Sequence, residues 1–175
     1  METVKDPDSS NEYRLTKLVD QYQVSLLQMC FMYLHDRTLA EDAVQETFLK
    51  VYKSMAAFRG ECSEKTWLTR IALNTCRDIK RSAWFRHNDR RVTPEDMAPA
   101  PVQPVEDYEA EKLAQVIVKL PAKYKEIILL YYYQDMTMRE IADSLGIAVS
   151  SVSGRLKQAR AKLRKVLEKE GVYGR

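Results

Sequence analysis

Thr137–Arg164, TMREIADSLGIAVSSVSGRLKQARAKLR, reads as a helix, a tight turn and a second helix. Thr137 and Glu140 have the spacing of a capping box, with Met136 and Ile141 placed as the hydrophobic staple. Ile141, Ala142 and Leu145 recur at helical spacing. Gly146 then falls where a left-handed residue ends a helix. Val152, Leu156, Ala159 and Leu163 make one apolar stripe on the second helix. Its other faces carry Arg155, Lys157, Arg160, Lys162, Arg164 and Lys165 without a carboxylate among them. Small residues, Ser150, Ser151, Ser153 and Gly154, crowd its start. A small, polar helix start fits deep in a DNA major groove, and basic flanks hold the phosphates on either side.

Working outward, 175 residues leave room for one ordinary domain or two small ones. The net charge of +3 is small, so charge matters locally. The carboxyl-terminal segment is basic, whereas Glu106, Asp107, Glu109 and Glu111 make the preceding segment acidic. Cys30, Cys62 and Cys76 lack metal-ligand spacing, and their odd number and scatter suit a reducing cytoplasm. His35 and His87 are too isolated to suggest a site. No apolar run spans a bilayer, and the acidic start METVKDPD is no signal peptide.

Residues up to about Asn11 are polar and expected to fray. From Tyr13, Leu15, Leu18, Val19, Tyr22, Leu26, Leu27 and Cys30 predict an amphipathic helix ending near His35–Asp36. Thr38 and Glu41 have capping-box spacing for a second helix, buried through Leu39, Ala43, Val44, Phe48, Val51, Tyr52 and Met55. Asp42, Gln45, Glu46 and Lys50 lie mainly towards water. Gly60 to Lys65 reads as a loop. A third helix follows, apolar through Trp67, Leu68, Ile71, Ala72, Thr75 and Ile79, with Arg70, Asn74, Arg77, Lys80 and Arg81 as its polar remainder. Phe58, Trp67 and Trp84 lie among these cations. Rings to stack on and cations for a backbone are what unpaired bases need. Trp67 is expected to pack on one side while its neighbours form a base pocket.

Residues 83–105 contain Arg86, Arg90 and Arg91, then Pro94, Pro99, Pro101 and Pro104, a proline density that reads as an extended linker. A helix from about Val105 uses Leu113, Val116, Ile117 and Leu120. Pro121 marks the next start, and Tyr124, Ile127, Ile128, Leu130, Tyr131 and Tyr132 make a densely apolar helix. The Tyr131–Tyr133 run is expected to pack against the helix-turn-helix. The fold class is all-α: two small helical domains, 11–82 and 106–170, on a flexible linker, 83–105, the second domain a helix-turn-helix.

Two blocks in this order, AEDAVQETFLKVYKSMAAFRG with TWLTRIALNTCRD, then LPAKYKEIILLYYYQDMTMREIADSLGI with GRLKQARAKLRK, resemble the extracytoplasmic-function (ECF) sigma factors of bacterial RNA polymerase. The resemblance runs from about Tyr13 to Leu167. It implies a non-enzymatic promoter-specificity subunit acting in the cytoplasm, serving a stress or envelope response, with no cofactor, metal or small-molecule substrate. Asp42, Gln45, Glu46 and Phe48 resemble the surface that docks on the clamp helices of the polymerase largest subunit. Phe58, Arg59, Trp67, Arg70, Asn74, Arg77 and Lys80, with the Gly60–Lys65 loop, resemble the site that opens the minus-ten element and holds a flipped base. Ser150, Ser151, Ser153, Gly154, Arg155, Lys157, Gln158 and Arg160 fall on the minus-thirty-five reader, whose domain also rests on the polymerase β flap. The linker is similar to the segment that passes near the polymerase active site. ECF relatives are commonly held by an anti-sigma factor, and such a partner is implied here.

The chain departs from the family pattern at three places. Ala148 and Val149 stand where a Ser or Thr cap and an acidic residue are usual, which predicts a late start for the recognition helix. Ser153-Gly154 replaces the usual basic residue and serine. Glu64-Lys65 replaces an aromatic before Thr66-Trp67. The competing reading is a free-standing regulator that binds duplex DNA as a dimer, and it has no use for the Phe58/Trp67/Asn74 set. A DNA-modifying enzyme would need a metal or acid cluster, which the sequence does not show; nor does it show a nucleophile paired with a base or a phosphate-binding glycine motif.

Overall fold

The computed structural model describes the backbone of residues 7–89 and 108–169, with side chains over 11–82 and 113–169. All regular structure among the described residues is helical, without a strand. In chain order they form α1 (Pro7–Leu34), α2 (Arg37–Ser54), a 3-10 turn (Met55–Ala57), α3 (Glu64–Asp89), α4 (Tyr108–Lys119), α5 (Ala122–Ile128) running on as a π turn (Leu129–Tyr133), α6 (Met138–Leu145) and α7 (Val149–Lys169).

Helices α1 to α3 pack pairwise around Leu18, Leu26, Met29 and Cys30 of α1, Ala40, Ala43, Val44 and Val51 of α2, and Leu68, Ala72, Leu73 and Cys76 of α3. The alanines let the helix axes approach closely. Between α1 and α2 the chain turns at His35, whose φ of 56° lies in the left-handed region. The Cys76 thiol is pushed far up, first by its hydrogen bond with Cys30 and then by burial, which leaves it inert.

Several helix ends differ from the sequence expectation. Helix α1 begins at Pro7 rather than near Tyr13. Asp36, not Thr38, caps α2: its carboxylate accepts from the Leu39 N–H at 2.9 Å. Glu41 bonds Arg37 instead of closing a box with Thr38. Asp is as good a cap as Thr, and capping two residues earlier adds to the helix. Helix α3 continues to Asp89, beyond the boundary expected at 83. Residues 90–107, which hold Arg90, Arg91 and the four prolines, lie outside the described residues, as does the Trp84 side chain.

In the second unit, α5 and its π turn form the axis. Ile127, Ile128, Leu129 and Leu130 are all buried, because α4, α6, α7 and α1 surround this short segment. The π turn closes through a bond from the Gln134 N–H to the Leu129 carbonyl, five residues back, at 3.1 Å. Such single-turn widenings leave no local sequence signal. The Thr137–Glu140 capping box forms as expected, with both reciprocal bonds present. Glu140 is held below the usual carboxylate range, chiefly by the Thr137 backbone N–H and then its hydroxyl. Gly146 takes φ 65° and ends α6. Helix α7 starts at Val149, with the Val152 N–H already bonded to the Ala148 carbonyl, so the weak cap does not delay it. Packing of Val152, Leu156 and Ala159 outweighs a cap worth about 1 kcal/mol.

The two units pack directly on each other. Helix α3 lies against α6, and α1 against α4 and the π turn. Buried apolar residues from both units join one continuous cluster.

Candidate nucleic-acid interface

Helix α3 presents a stripe at helical spacing, Trp67, Arg70, Asn74 and Arg77. Ser63 sets its start: its hydroxyl accepts from the Thr66 N–H at 3.1 Å. Gly60, at φ 72°, turns the loop before it. This brings Phe58 onto Trp67 with ring centroids 4.4 Å apart and planes 20° off parallel. Arg14 lies 5.6 Å from the Phe58 ring centre and clamps Glu64 through two bonds, Nε at 3.0 Å and Nη2 at 2.6 Å. No local pattern points to Arg14, which lies fifty residues from Glu64.

The stacked pair walls a cleft of about 630 Å³, completed by Ser54, Ala57, Arg59, Glu61, Cys62, Arg70 and, from α6, Asp143. Of the residues expected at the minus-ten site, Phe58, Arg59, Trp67 and Arg70 meet in this cleft. Asn74 does not line it; it is exposed, and its amide oxygen accepts from Arg77 Nη1 at 3.0 Å. Arg77 and Lys80 lie further along α3.

On α7, Ser150, Ser151, Ser153, Gly154, Lys157 and Gln158 are exposed, Arg155 is half-buried, and Val152, Leu156 and Ala159 point inward. The Tyr124 hydroxyl donates to Gln158 Oε1 at 2.7 Å, which leaves the Gln158 NH2 group free to donate outward. Arg160 turns to the other flank. Its Nε donates to the Tyr132 hydroxyl at 2.8 Å, and its guanidinium lies 5.4 and 5.6 Å from the Tyr131 and Tyr132 ring centres. There it borders an apolar groove of about 680 Å³ between α4, the π turn and α7, lined by Leu113, Ile117, Tyr133, Leu163 and Leu167.

On α2, Asp42, Gln45 and Glu46 are exposed, but Phe48 is only 8% exposed and belongs to the core. Leu49, 54% exposed, continues the face instead. The spacing 42, 45, 46, 49 is the i, i+3, i+4, i+7 pattern, so the signal for Leu49 was present in the sequence.

The sequence family described as Sigma-70 region 2 matches residues 18–86, and Sigma-70, region 4 matches residues 110–163. The RNA polymerase sigma factor YlaC of Bacillus subtilis is 30% identical over 157 residues, covering 87% of this chain and 91% of its own. The ECF RNA polymerase sigma factor SigL of Mycobacterium tuberculosis is 32% identical over 161 residues, 89% of each chain. This chain belongs to the ECF sigma factors of RNA polymerase. A solved structure of CnrH in complex with the cytosolic domain of CnrY matches this sigma factor with a TM-score of 0.72 and 28% identity, over 93% of this chain and 92% of that one.

The junction between the two units of the sigma factor is polar at its centre. Glu126 of α5, 6% exposed, accepts from Arg77 at both oxygens, Nε to Oε1 at 2.8 Å and Nη2 to Oε2 at 2.7 Å. The Tyr33 hydroxyl reaches Oε1 at 3.2 Å. Burial, then the Glu126 charge, pushes the Tyr33 phenol up to about 12, so it remains a donor. Arg70 Nη2 donates to the Asp143 carbonyl at 3.0 Å, and Gln134 Nε2 to the Ser25 carbonyl at 2.8 Å. Lys125 sits beside this group, 3% exposed; burial and the nearby Lys80 lower it to about 8. None of these cross-junction pairs was legible in the sequence.

Proposed function

We propose that this sigma factor, as the promoter-specificity subunit of RNA polymerase, divides its work among three surfaces. The observation that carries the reading is the Phe58–Trp67 stack walling an open cleft beside Arg59 and Arg70. A stacked aromatic pair with flanking cations suits an unpaired, displaced base, which stacking and phosphate contacts stabilise together. A regulator confined to duplex DNA has no use for it. Arg77 and Lys80 extend the cationic track along α3 for the melted minus-ten strand, and Asn74 supplies a donor and acceptor near it.

The exposed face of α7 reads the minus-thirty-five element, with Ser150, Ser151, Ser153 and Gly154 allowing close approach and Lys157 and Gln158 reaching base edges. Gln158, with its carbonyl held by Tyr124, offers a donor to purine N7 or guanine O6. Arg155 serves the phosphates. Arg160, tied to Tyr132, belongs to the rim of the apolar groove, and that groove is the seat for the β flap. The α2 face of Asp42, Gln45, Glu46 and Leu49 docks on the clamp helices, with Phe48 supporting it from the core. An anti-sigma factor is a further partner, as the CnrH complex shows for that protein. The reaction chemistry belongs to the polymerase, in the cytoplasm. No described helix is long and apolar enough to cross a membrane.

A saturation scan of the minus-thirty-five element with mutant holoenzymes tests the assignment on α7. Gln158→Ala is expected to cost about 1–3 kcal/mol at one base position and to relax preference there. Arg155→Ala is expected to weaken all sequences alike and to flatten the salt dependence by about one unit of slope. A changed base preference for Arg155→Ala with none for Gln158→Ala would place the reading face on the wrong side of α7.

A further inference from the structure

One side chain of the exposed α7 face is tied to the helix behind it. Gln158 is exposed, yet its Oε1 lies 2.7 Å from the hydroxyl of Tyr124 in α5. Tyr124 is only 7% exposed, so its ring is held by packing. Lys123 and Lys162 place their ammonium groups 4.9 and 5.6 Å from the ring centre. Cations against the ring draw electron density from the phenol and strengthen its O–H as a donor.

Chemistry decides which end of the amide meets the phenol. A 2.7 Å separation is the usual length of an O–H···O bond and shorter than the usual N–H···O bond. The Tyr124 hydroxyl therefore donates, and the Gln158 carbonyl accepts. Both N–H bonds of the amide are left for the outward side. An unrestrained glutamine can show a base one donor and one acceptor side by side, which suits adenine N7 and N6. Held by Tyr124, Gln158 shows donors only. Guanine meets them with two acceptors, N7 and O6. Adenine sets its own N6 amino group against the amide NH2, donor against donor. Turning the carbonyl outward to suit adenine would break the phenol bond and leave a buried hydroxyl unpaired.

We propose that Tyr124 is a specificity-determining residue of the minus-thirty-five reader: from behind the reading face it locks the Gln158 amide so that Gln158 selects guanine and rejects adenine. The inference rests on the reading of the exposed α7 face as the minus-thirty-five interface. It adds which base Gln158 takes and what makes it do so. Tyr124 is a positioning residue, acting on DNA through Gln158 alone.

The test is a saturation scan of the minus-thirty-five element, read as initial transcription rates of holoenzyme on a genomic template that the wild-type holoenzyme transcribes. It compares wild type, Gln158→Ala, Tyr124→Phe and the double variant. The position where Gln158→Ala relaxes preference is the one that Gln158 reads. There wild type is expected to favour guanine over adenine by about tenfold, as for one well-placed set of base contacts. Tyr124→Phe removes one oxygen and keeps the packed ring. It is expected to bring adenine level with guanine or above it at that position, and to leave the other positions as in wild type. The double variant should match Gln158→Ala alone. A merely structural role for Tyr124 would lower the rate at every position alike and persist in the double variant. The wild-type preference decides by itself if Tyr124→Phe loses helix content by circular dichroism. A wild type that favours adenine at that position overturns the proposal. So does a Tyr124→Phe holoenzyme that keeps wild-type discrimination there or loses rate equally everywhere, and in these cases Gln158 stays a reader. A Gln158→Ala holoenzyme that relaxes no position overturns the reading of α7 itself, and the lock falls with it.

Discussion

Trp67→Ala is expected to cut transcription from a duplex promoter by about 10–100-fold, the equivalent of one lost stacked base. The ring makes one wall of the cleft, and Phe58 lies flat against it at 4.4 Å. Removing it takes away the surface that compensates for unpairing, and leaves Phe58 without its stacked partner. The loss should fall on open-complex formation: permanganate reactivity of the bubble drops, while retention of closed complex on the minus-thirty-five element stays near wild type. A template pre-melted at minus ten should recover part of the activity, and Trp67→Phe should retain more than Trp67→Ala. Because Trp67 also packs against the core, thermal melting of the variant must stay cooperative for the comparison to count. Full bubble reactivity in Trp67→Ala would remove the ring from the melting site.

The second large effect is structural. Leu156→Ala is expected to destabilise the second unit by about 2–5 kcal/mol, as for other fully buried leucines. Leu156 is 2% exposed and packs from α7 into the Ile127–Leu130 core. A unit this small has little stability to lose. The variant should lose dependence on the minus-thirty-five element together with the cooperative transition of the second unit in chemical denaturation. Exposed Lys157→Ala, two turns into the same helix, should leave that transition in place. Equal denaturation midpoints for Leu156→Ala and wild type would contradict the packing described for α7.

Comparing the chain read as letters with the chain folded shows where local information ends. The Thr137–Glu140 box, the Gly146 turn and the Val152/Leu156/Ala159 stripe are set by residues within a few positions of one another, and all were legible. So was the meeting of Phe58 with Trp67, nine residues apart across a glycine loop. The α2 face was misread by one residue. The family resemblance points to Phe48, which is buried, whereas the helical period of Asp42, Gln45 and Glu46 points to exposed Leu49. The cap of α2 was misread because two good capping residues, Asp36 and Thr38, compete within three positions, and no local rule chooses between them. The π turn left no trace, since Leu129–Tyr133 is equally compatible with an ordinary helix. The junction was illegible for a different reason. Arg77 and Glu126 are 49 residues apart, and no local spacing pairs them. Only docking of the units makes Glu126 a buried carboxylate with a guanidinium across it.

As a sigma factor, the chain serves the polymerase rather than duplex DNA alone. In vitro transcription on promoter DNA, with core polymerase in the presence and absence of this protein, tests this directly. Discrete transcripts from a defined start are expected only when both are present, with weak promoter binding by the free protein. Tight, sequence-specific duplex binding by the free protein, with no new transcript on adding core polymerase, would contradict it.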